Sequence, residues 1–313
     1  MVRVADVVRN GFVESTHDGS VVVLASDGAT VFSVGTPKEP IFPRSVNKPL
    51  QLVGMMRAGL DVPDELLAIA VASHSGEEHH VALVREFLTS FDLDESALDN
   101  TPGYPLHEES ARVLVCSGHQ PDSVHQNCSG KHAAMLSTCV VAGWSTHDYR
   151  DENHPVQRAI RTTIEDLADE RVGTVGVDGC GAPLFALSLV GLARAFRRLV
   201  TAPSGSPERR VADAMRAYPE VVGGTGRDVT ALMRAVPGLL VKDGAEGNAA
   251  AALENGGAVA LKIADGAARP RTPVLLAALT RLEPSLRAVV PAPPVLGHGE
   301  PVGEVRAAFP GGG

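Results

Sequence analysis

The sequence predicts an α+β protein, with one sheet drawn from both ends of the chain and a mainly helical region between them. Three observations carry this reading. β-branched runs separated by turn residues fill the first forty residues. Short apolar runs of strand length return late in the chain. The stretch between them spaces its apolar residues three and four apart, which is the helical period. Strands and helices segregated in this way place the terminal strands in a shared sheet. The division falls at residues 1–44 and 236–313 for the sheet-forming part and 45–235 for the helical part.

Phe12-Val13-Glu14, Ser20-Val21-Val22-Val23-Leu24 and Thr30-Val31-Phe32-Ser33-Val34 read as a meander, with turns at His17-Asp18-Gly19 and Asp27-Gly28. After Pro43, Leu52, Met55 and Met56 fall on one helical face, and Gly59 stands where that helix should end. Amphipathic patterns predict further helices over 77–91, 131–142, 155–168, 187–200 and 208–217, with a short buried strand at 174–177. Strands at 238–241 and 258–263 and a helix at 273–282 follow. Residues 201–207 read as a loop, and the Pro/Gly-rich tail from Pro291 as loosely ordered.

Composition removes several function classes. A net charge of −9 and a pI near 5.7 lack the basic face of a nucleic-acid binder. The opening Met1-Val2-Arg3-Val4-Ala5-Asp6-Val7 lacks the apolar run of a signal peptide. The longest apolar stretch, 184–196, is interrupted by Arg194 and is too short to span a bilayer. The cysteines at 116, 128, 139 and 180 form no dense framework, which fits thiols or metal ligands better than disulfides. A cytoplasmic enzyme is the expectation.

Lysine is scarce: the chain has 23 arginines and five lysines, and four of the five lysines sit in short polar motifs. Arginine supplies charge equally well, so what lysine adds is a proton it can give up, or a metal ligand. Ser45 and Lys48 stand three apart at the start of a helix and share one face. Pro49 fits only if that helix begins close to Ser45. A serine hydroxyl needs a base. Lowering a lysine from about 10.4 to about 7–8 takes roughly 3–4 kcal/mol of burial or repulsion from a second cation. Nineteen serines and five lysines yield about 0.3 such pairs by chance, so the spacing alone equally describes a helix cap and a surface lysine. Order along the chain adds the weight. Ser73-His74-Ser75-Gly76 comes next and Lys242-Asp243-Gly244 comes late, as in serine β-lactamases and penicillin-binding proteins, with Asp243 where those enzymes carry a hydroxyl residue.

A second constellation joins Asn127-Cys128-Ser129-Gly130-Lys131-His132, opening a helix, to Asp178-Gly179-Cys180-Gly181-Ala182-Pro183, a tight turn. Cys128, Lys131 and Cys180 can converge as three zinc ligands with one open position. The competing reading is a pair of buried, inert thiols, which also describes Cys116 and Cys139. The eleven histidines show no metal-ligand spacing, and His79-His80 reads as a solvated helix start.

Taken together these motifs resemble the asparaginase II family of the rhizobial inducible type. The resemblance runs from Glu14-Ser15-Thr16-His17-Asp18-Gly19 through Pro43-Arg44-Ser45, the elements above and Lys242-Asp243-Gly244-Ala245-Glu246-Gly247 to Lys262-Ile263-Ala264-Asp265-Gly266, nearly the whole chain. It implies hydrolysis of L-asparagine to L-aspartate and ammonia on a fold similar to serine β-lactamases and glutaminases. Position by position it implies Ser45 as nucleophile, Lys48 as its base, and Ser75 with Lys242 as a second, proton-relaying pair. It also implies zinc at Cys128, Lys131 and Cys180 with Asp178 close by, substrate contacts from Arg44, Asn127 and His132, and a homodimer. Gln126 stands where the family has asparagine. A glutaminase, a β-lactam-interacting hydrolase and a thiol or zinc sensor are the alternatives. The second lacks a Ser-Asp-Asn element, and the third leaves Ser45, Lys48 and Lys242 without a purpose.

Overall fold

A computed structural model describes residues 2–286 and 290–309. From the N-terminus come β1 (Val2–Arg9), β2 (Phe12–Leu24), β3 (Thr30–Val34) and the two-residue β4 (Pro40–Ile41). A 3-10 turn, Arg44–Asn47, leads into α1 (Lys48–Arg57), then α2 (Asp64–Val71), α3 (Glu78–Thr89), α4 (Glu108–Cys116), α5 (Ser129–Ala142) and α6 (Pro155–Ala168). β5 (Val175–Val177), β6 (Pro183–Phe185) and β7 (Leu187–Ser188) precede α7 (Leu189–Thr201), α8 (Pro207–Ala217), α9 (Pro219–Val222) and α10 (Asp228–Ala235). β8 (Leu240–Gly244), β9 (Asn248–Ala252), β10 (Ala258–Ile263), α11 (Arg271–Leu279), β11 (Pro294–Gly297) and β12 (Glu300–Ala307) follow.

The architecture is α+β. One antiparallel sheet runs β11-β12-β1-β2-β10-β9-β8, with β3 on the β2 edge beside β1, so its strands all come from residues 2–34 and 240–307. β2 is the hinge of this sheet. Its first half pairs with β1 and its second half with β10, in a register that sets Gly19 opposite Ile263 and Leu24 opposite Ala258. The strand therefore runs straight through His17-Asp18-Gly19, where a turn was expected. Gly19 is needed there for close approach, since a Cβ would lie 2.5 Å from the Lys262 carbonyl oxygen. α7 and α11 pack on the sheet, and α1, α2, α5 and α6 build the helical part beside it.

α1 buries every residue from Lys48 to Met56, so it shows little amphipathic contrast. Leu50, Leu52, Val53 and Met55 are fully buried, each worth about 1.5–3 kcal/mol of burial. Gly54 lets α1 cross α6 closely, because a Cβ would lie 2.8 Å from Ile160 Cα. Three further expectations fail outright. The tail after Pro291 pairs as β11 and β12 onto β1 instead of lying loose, apart from residues 310–313, which fall outside the described residues. Val177 in β5 is 79% exposed, so that strand is a surface hairpin, not a buried one. His80 is fully buried and closes the α3 N-terminus with Glu77, so of the two histidines only His79 is exposed. Among the described residues no helix is long and apolar enough to cross a membrane.

Candidate active site

The 3-10 turn delivers Ser45 to the junction of the sheet and the helical part. Arg44, just before it, holds φ 56°, a left-handed conformation that costs a non-glycine residue about 1–3 kcal/mol. Gly244 at the end of β8 abuts the turn so closely that a Cβ would lie 2.7 Å from the Pro43 carbonyl oxygen and 3.3 Å from Ser45 N. Helix α1 then starts at Lys48 with Pro49 in its first turn, where a missing N–H costs nothing.

Lys48 is 1% exposed and projects toward the segment after α2. Its Nζ donates to the Ala72 carbonyl, to Ser73 Oγ at 3.3 Å and to the Asn127 carbonyl at 3.4 Å. Lys242, fully buried on β8, donates to the same Ser73 Oγ at 2.9 Å. One hydroxyl therefore sits between two lysine amines, and it belongs to Ser73. Ser75 is turned away: its hydroxyl donates to the Gly223 carbonyl at 2.9 Å, while its own carbonyl accepts from His107 N. The structure thus brings Ser73, and not Ser75, to Lys242. On a regular strand positions 73 and 75 would share a face. Here His74 Nδ1 accepts from Gly76 N and Gly76 takes φ 72°, which breaks that regularity.

The electrostatics differ along this row. Burial pushes Lys242 down to about 8, helped by the charge of Lys48 and opposed by Asp243. Asp243 is buried beside it, with Oδ1 3.0 Å from Lys242 Nζ and Oδ2 3.0 Å from Arg227 and 3.1 Å from Arg271. Burial alone would raise its carboxyl, yet Lys242, Arg271 and Arg227 outweigh that and hold it far below the usual carboxylate range.

The thiol constellation comes together behind Lys48. Cys128 caps α5, and Lys131 one turn on donates to Cys180 Sγ at 3.1 Å; all three are buried. Asp178 Oδ2 lies 3.8 Å from Cys180 Sγ, and its Oδ1 accepts from Arg44 Nε at 2.7 Å. A hydrogen bond from Cys180 brings the Cys128 thiol far below its usual value, aided by the charges of Lys48 and Lys131. Burial lowers Lys131, but Cys180, Cys128 and Asp178 outweigh it and hold the ammonium above its ordinary value.

The three residues expected near substrate differ in position. Arg44 stays on the rim and helps line a cavity of about 460 Å³ with Phe42, Val177, Glu246 and Lys262. Asn127 is half-buried, with Oδ1 accepting from Gln126 Nε2 and its carbonyl accepting from Lys48. His132 is fully buried: its Nδ1 bonds Tyr149 OH at 2.8 Å and burial, with the charges of Lys131 and Lys48, keeps it neutral. It lies within the core behind Lys131 and does not face an open site.

Comparison with known proteins places these residues in a family. Among solved structures the chain is similar to Mglu in its tris and glutamate form (15% identity, TM-score 0.46, 90% of this chain and 63% of that one). It is also similar to a β-lactamase from Mycobacterium bovis (15%, 0.44, 86% and 94%) and to a Bacillus glutaminase (12%, 0.34, 79% and 83%). The chain thus spans less than two thirds of the length of Mglu. No curated protein matches it. The family description L-asparaginase II, in contrast, matches residues 5–307, which takes in Ser45, both lysines and both cysteines of the site, and the chain belongs to that family.

Proposed function

We propose that this amidohydrolase-family protein hydrolyses L-asparagine to L-aspartate and ammonia through an acyl-enzyme on Ser45. The observation that carries the reading is the Ser73 hydroxyl held by Lys48 and Lys242, with Lys48 three residues after a serine whose own turn is strained and buttressed. Ser45 Oγ attacks the carboxamide carbon and gives its proton to the lysine–serine–lysine row. That proton leaves with the nitrogen as ammonia when the C–N bond breaks. Water then adds to the aspartyl ester, the C–O bond breaks, and Ser45 regains its proton. Lys48 is the base nearest in sequence, and Lys242 returns protons through Ser73.

The family resemblance implies zinc, and Cys128, Lys131 and Cys180 fit it: two sulfurs and an amine meet in a buried spot with a carboxylate beside them. When bound, the cation would add positive charge for the polar end of the substrate. Arg44, partly exposed and fixed by Asp178, suits a substrate carboxylate. A homodimer is part of the same reading, checked by light scattering.

The deciding experiment measures ammonia release from L-asparagine and L-glutamine side by side, with Ser45→Ala as control and hydroxylamine to trap the ester. Preference for L-asparagine, lost in Ser45→Ala, supports the reading. Equal turnover of both amides, or of neither, removes the substrate assignment.

A further inference from the structure

We propose that His119, Asp122 and His125 form a second site, for a divalent first-row transition-metal cation, at the neck of the 101–125 excursion that carries α4. The histidines, which show no ligand spacing by inspection, gather around one carboxylate. His119 Nε2 lies 2.7 Å from Asp122 Oδ2, and His125 Nδ1 lies 2.7 and 2.8 Å from Oδ1 and Oδ2. The three donor atoms lie within 4.8 Å of one another.

Two ligands on one metal at about 2.1 Å stand about 3.0 Å apart at octahedral angles and about 3.4 Å apart at tetrahedral ones, so each histidine–carboxylate spacing has to open by about 0.3–0.7 Å. Two imidazoles and a carboxylate form a donor set that suits zinc, nickel or iron(II), with the remaining positions open to water. An ionised carboxylate only accepts, so in the metal-free protein each facing ring nitrogen carries its proton. Metal takes the place of those two protons, and each neutral ring then carries its proton on the outer nitrogen.

The backbone already holds the three residues in place. His119 follows the end of α4, where its N–H donates to the Leu114 carbonyl and its own carbonyl accepts from Tyr104 OH at 2.9 Å. Asp122 is bridged to Gly103 across the neck, and its Oδ1 also accepts from His125 N at 2.9 Å. The contrast with Glu77, His79 and His80 is instructive, because those donor atoms also cluster. There His80 accepts from Glu77 N on one ring nitrogen and bonds the Glu220 carbonyl with the other, so neither is left for a metal unless the α3 cap breaks.

The position gives the cation a task. None of the residues of α4 is buried, and with His107, His125 and Gly76 the helix covers a cavity of about 350 Å³. The excursion is tied to the active site at both ends: Thr101 N donates to the Cys180 carbonyl, His107 N donates to the Ser75 carbonyl, and Gln126, next to His125, accepts from Cys128 N. A metal at the neck pins α4 over its cavity.

The test titrates zinc into the chelator-treated full-length protein by calorimetry, comparing wild type with His119→Ala and with His119→Ala/His125→Ala. The readout is the difference between proteins, which does not depend on whether the cysteines also take up metal. The wild type should bind one equivalent more than the double variant, with micromolar or tighter affinity, and His119→Ala alone should weaken that equivalent at least about tenfold. His119 is half-exposed, so its replacement leaves the fold intact. Zinc should also slow proteolysis within 101–125 in the wild type and not in the variants. Equal stoichiometry and affinity in all three proteins, or an extra equivalent seen only at millimolar zinc, overturns the proposal.

Discussion

Lys242 Nζ donates to Ser73 Oγ at 2.9 Å across 169 positions of sequence, and Lys48 Nζ reaches the same oxygen from the other side. This hydroxyl is the only described link between the two lysines. Ser73→Ala should cut it and lower turnover of L-asparagine by about 10²–10⁴-fold, the range of a lost proton-transfer group. Ser75→Ala removes a hydrogen bond to the Gly223 carbonyl, and should cost about 1 kcal/mol of stability while leaving turnover within a few-fold. Kinetics and thermal unfolding of the two variants check the contrast, and equal loss of turnover in both would sink it.

The pH dependence follows from Lys242. With its pKa pushed down to about 8, the amine becomes a base as pH rises through that value, so kcat/KM should climb across it. Stability shifts in the same direction. Between about 8 and the ordinary 10.5 the unfolded chain binds a proton that the folded chain does not, so this group favours folding increasingly as pH rises over that window. Lys242→Arg and Lys48→Arg should both be nearly inactive, because arginine keeps its proton. A flat profile between pH values either side of 8 would remove Lys242 from the relay.

Gly244→Ala tests the buttress behind the proposed nucleophile. The added methyl meets the Pro43 carbonyl and Ser45 N, so the turn must move. The expected outcome is a stability loss of about 1–3 kcal/mol and a fall in turnover of order 10²-fold from the misplaced serine, read by kinetics and calorimetry.

Cys180→Ala should remove one equivalent of zinc by metal analysis and raise KM more than it lowers Tm. A metal-free wild type with full activity would rule out the thiol site as part of catalysis. Global unfolding of the variant would show a structural site in its place.

How much of this could be read from the sequence depends on where each residue's contacts come from. The helix at Pro155–Ala168 ends where its pattern does, because one face is apolar and the other wet. β9 escaped notice because four of its five residues are alanine, which carries no strand preference; its neighbours on both sides make it a strand. The tail strands were hidden by proline and glycine, since their partner is the first strand of the chain. In the site, Ser45, Lys48 and Lys242 stood out through motif spacing. Ser73 did not, because the choice between it and Ser75 is made by a local turn at His74 and Gly76. His132 looked polar and available, yet α5 is buried on every face from Ser129 to Cys139 and takes it into the core.

The pairing of β1 with β12 and of β2 with β10 also has a meaning in time. During synthesis the strands Val2–Arg9 and Phe12–Leu24 leave the ribosome long before their partners, so apolar Val21, Val22 and Val23 wait with an open edge. Such long-range closure is slow to form. A nascent chain halted before β8 already contains Ser45, Lys48, Ser73 and Cys128, but only one of the two amines that hold the Ser73 hydroxyl. On the proposed mechanism such a chain lacks half of its proton relay, which closes only once the last quarter of the chain has been added.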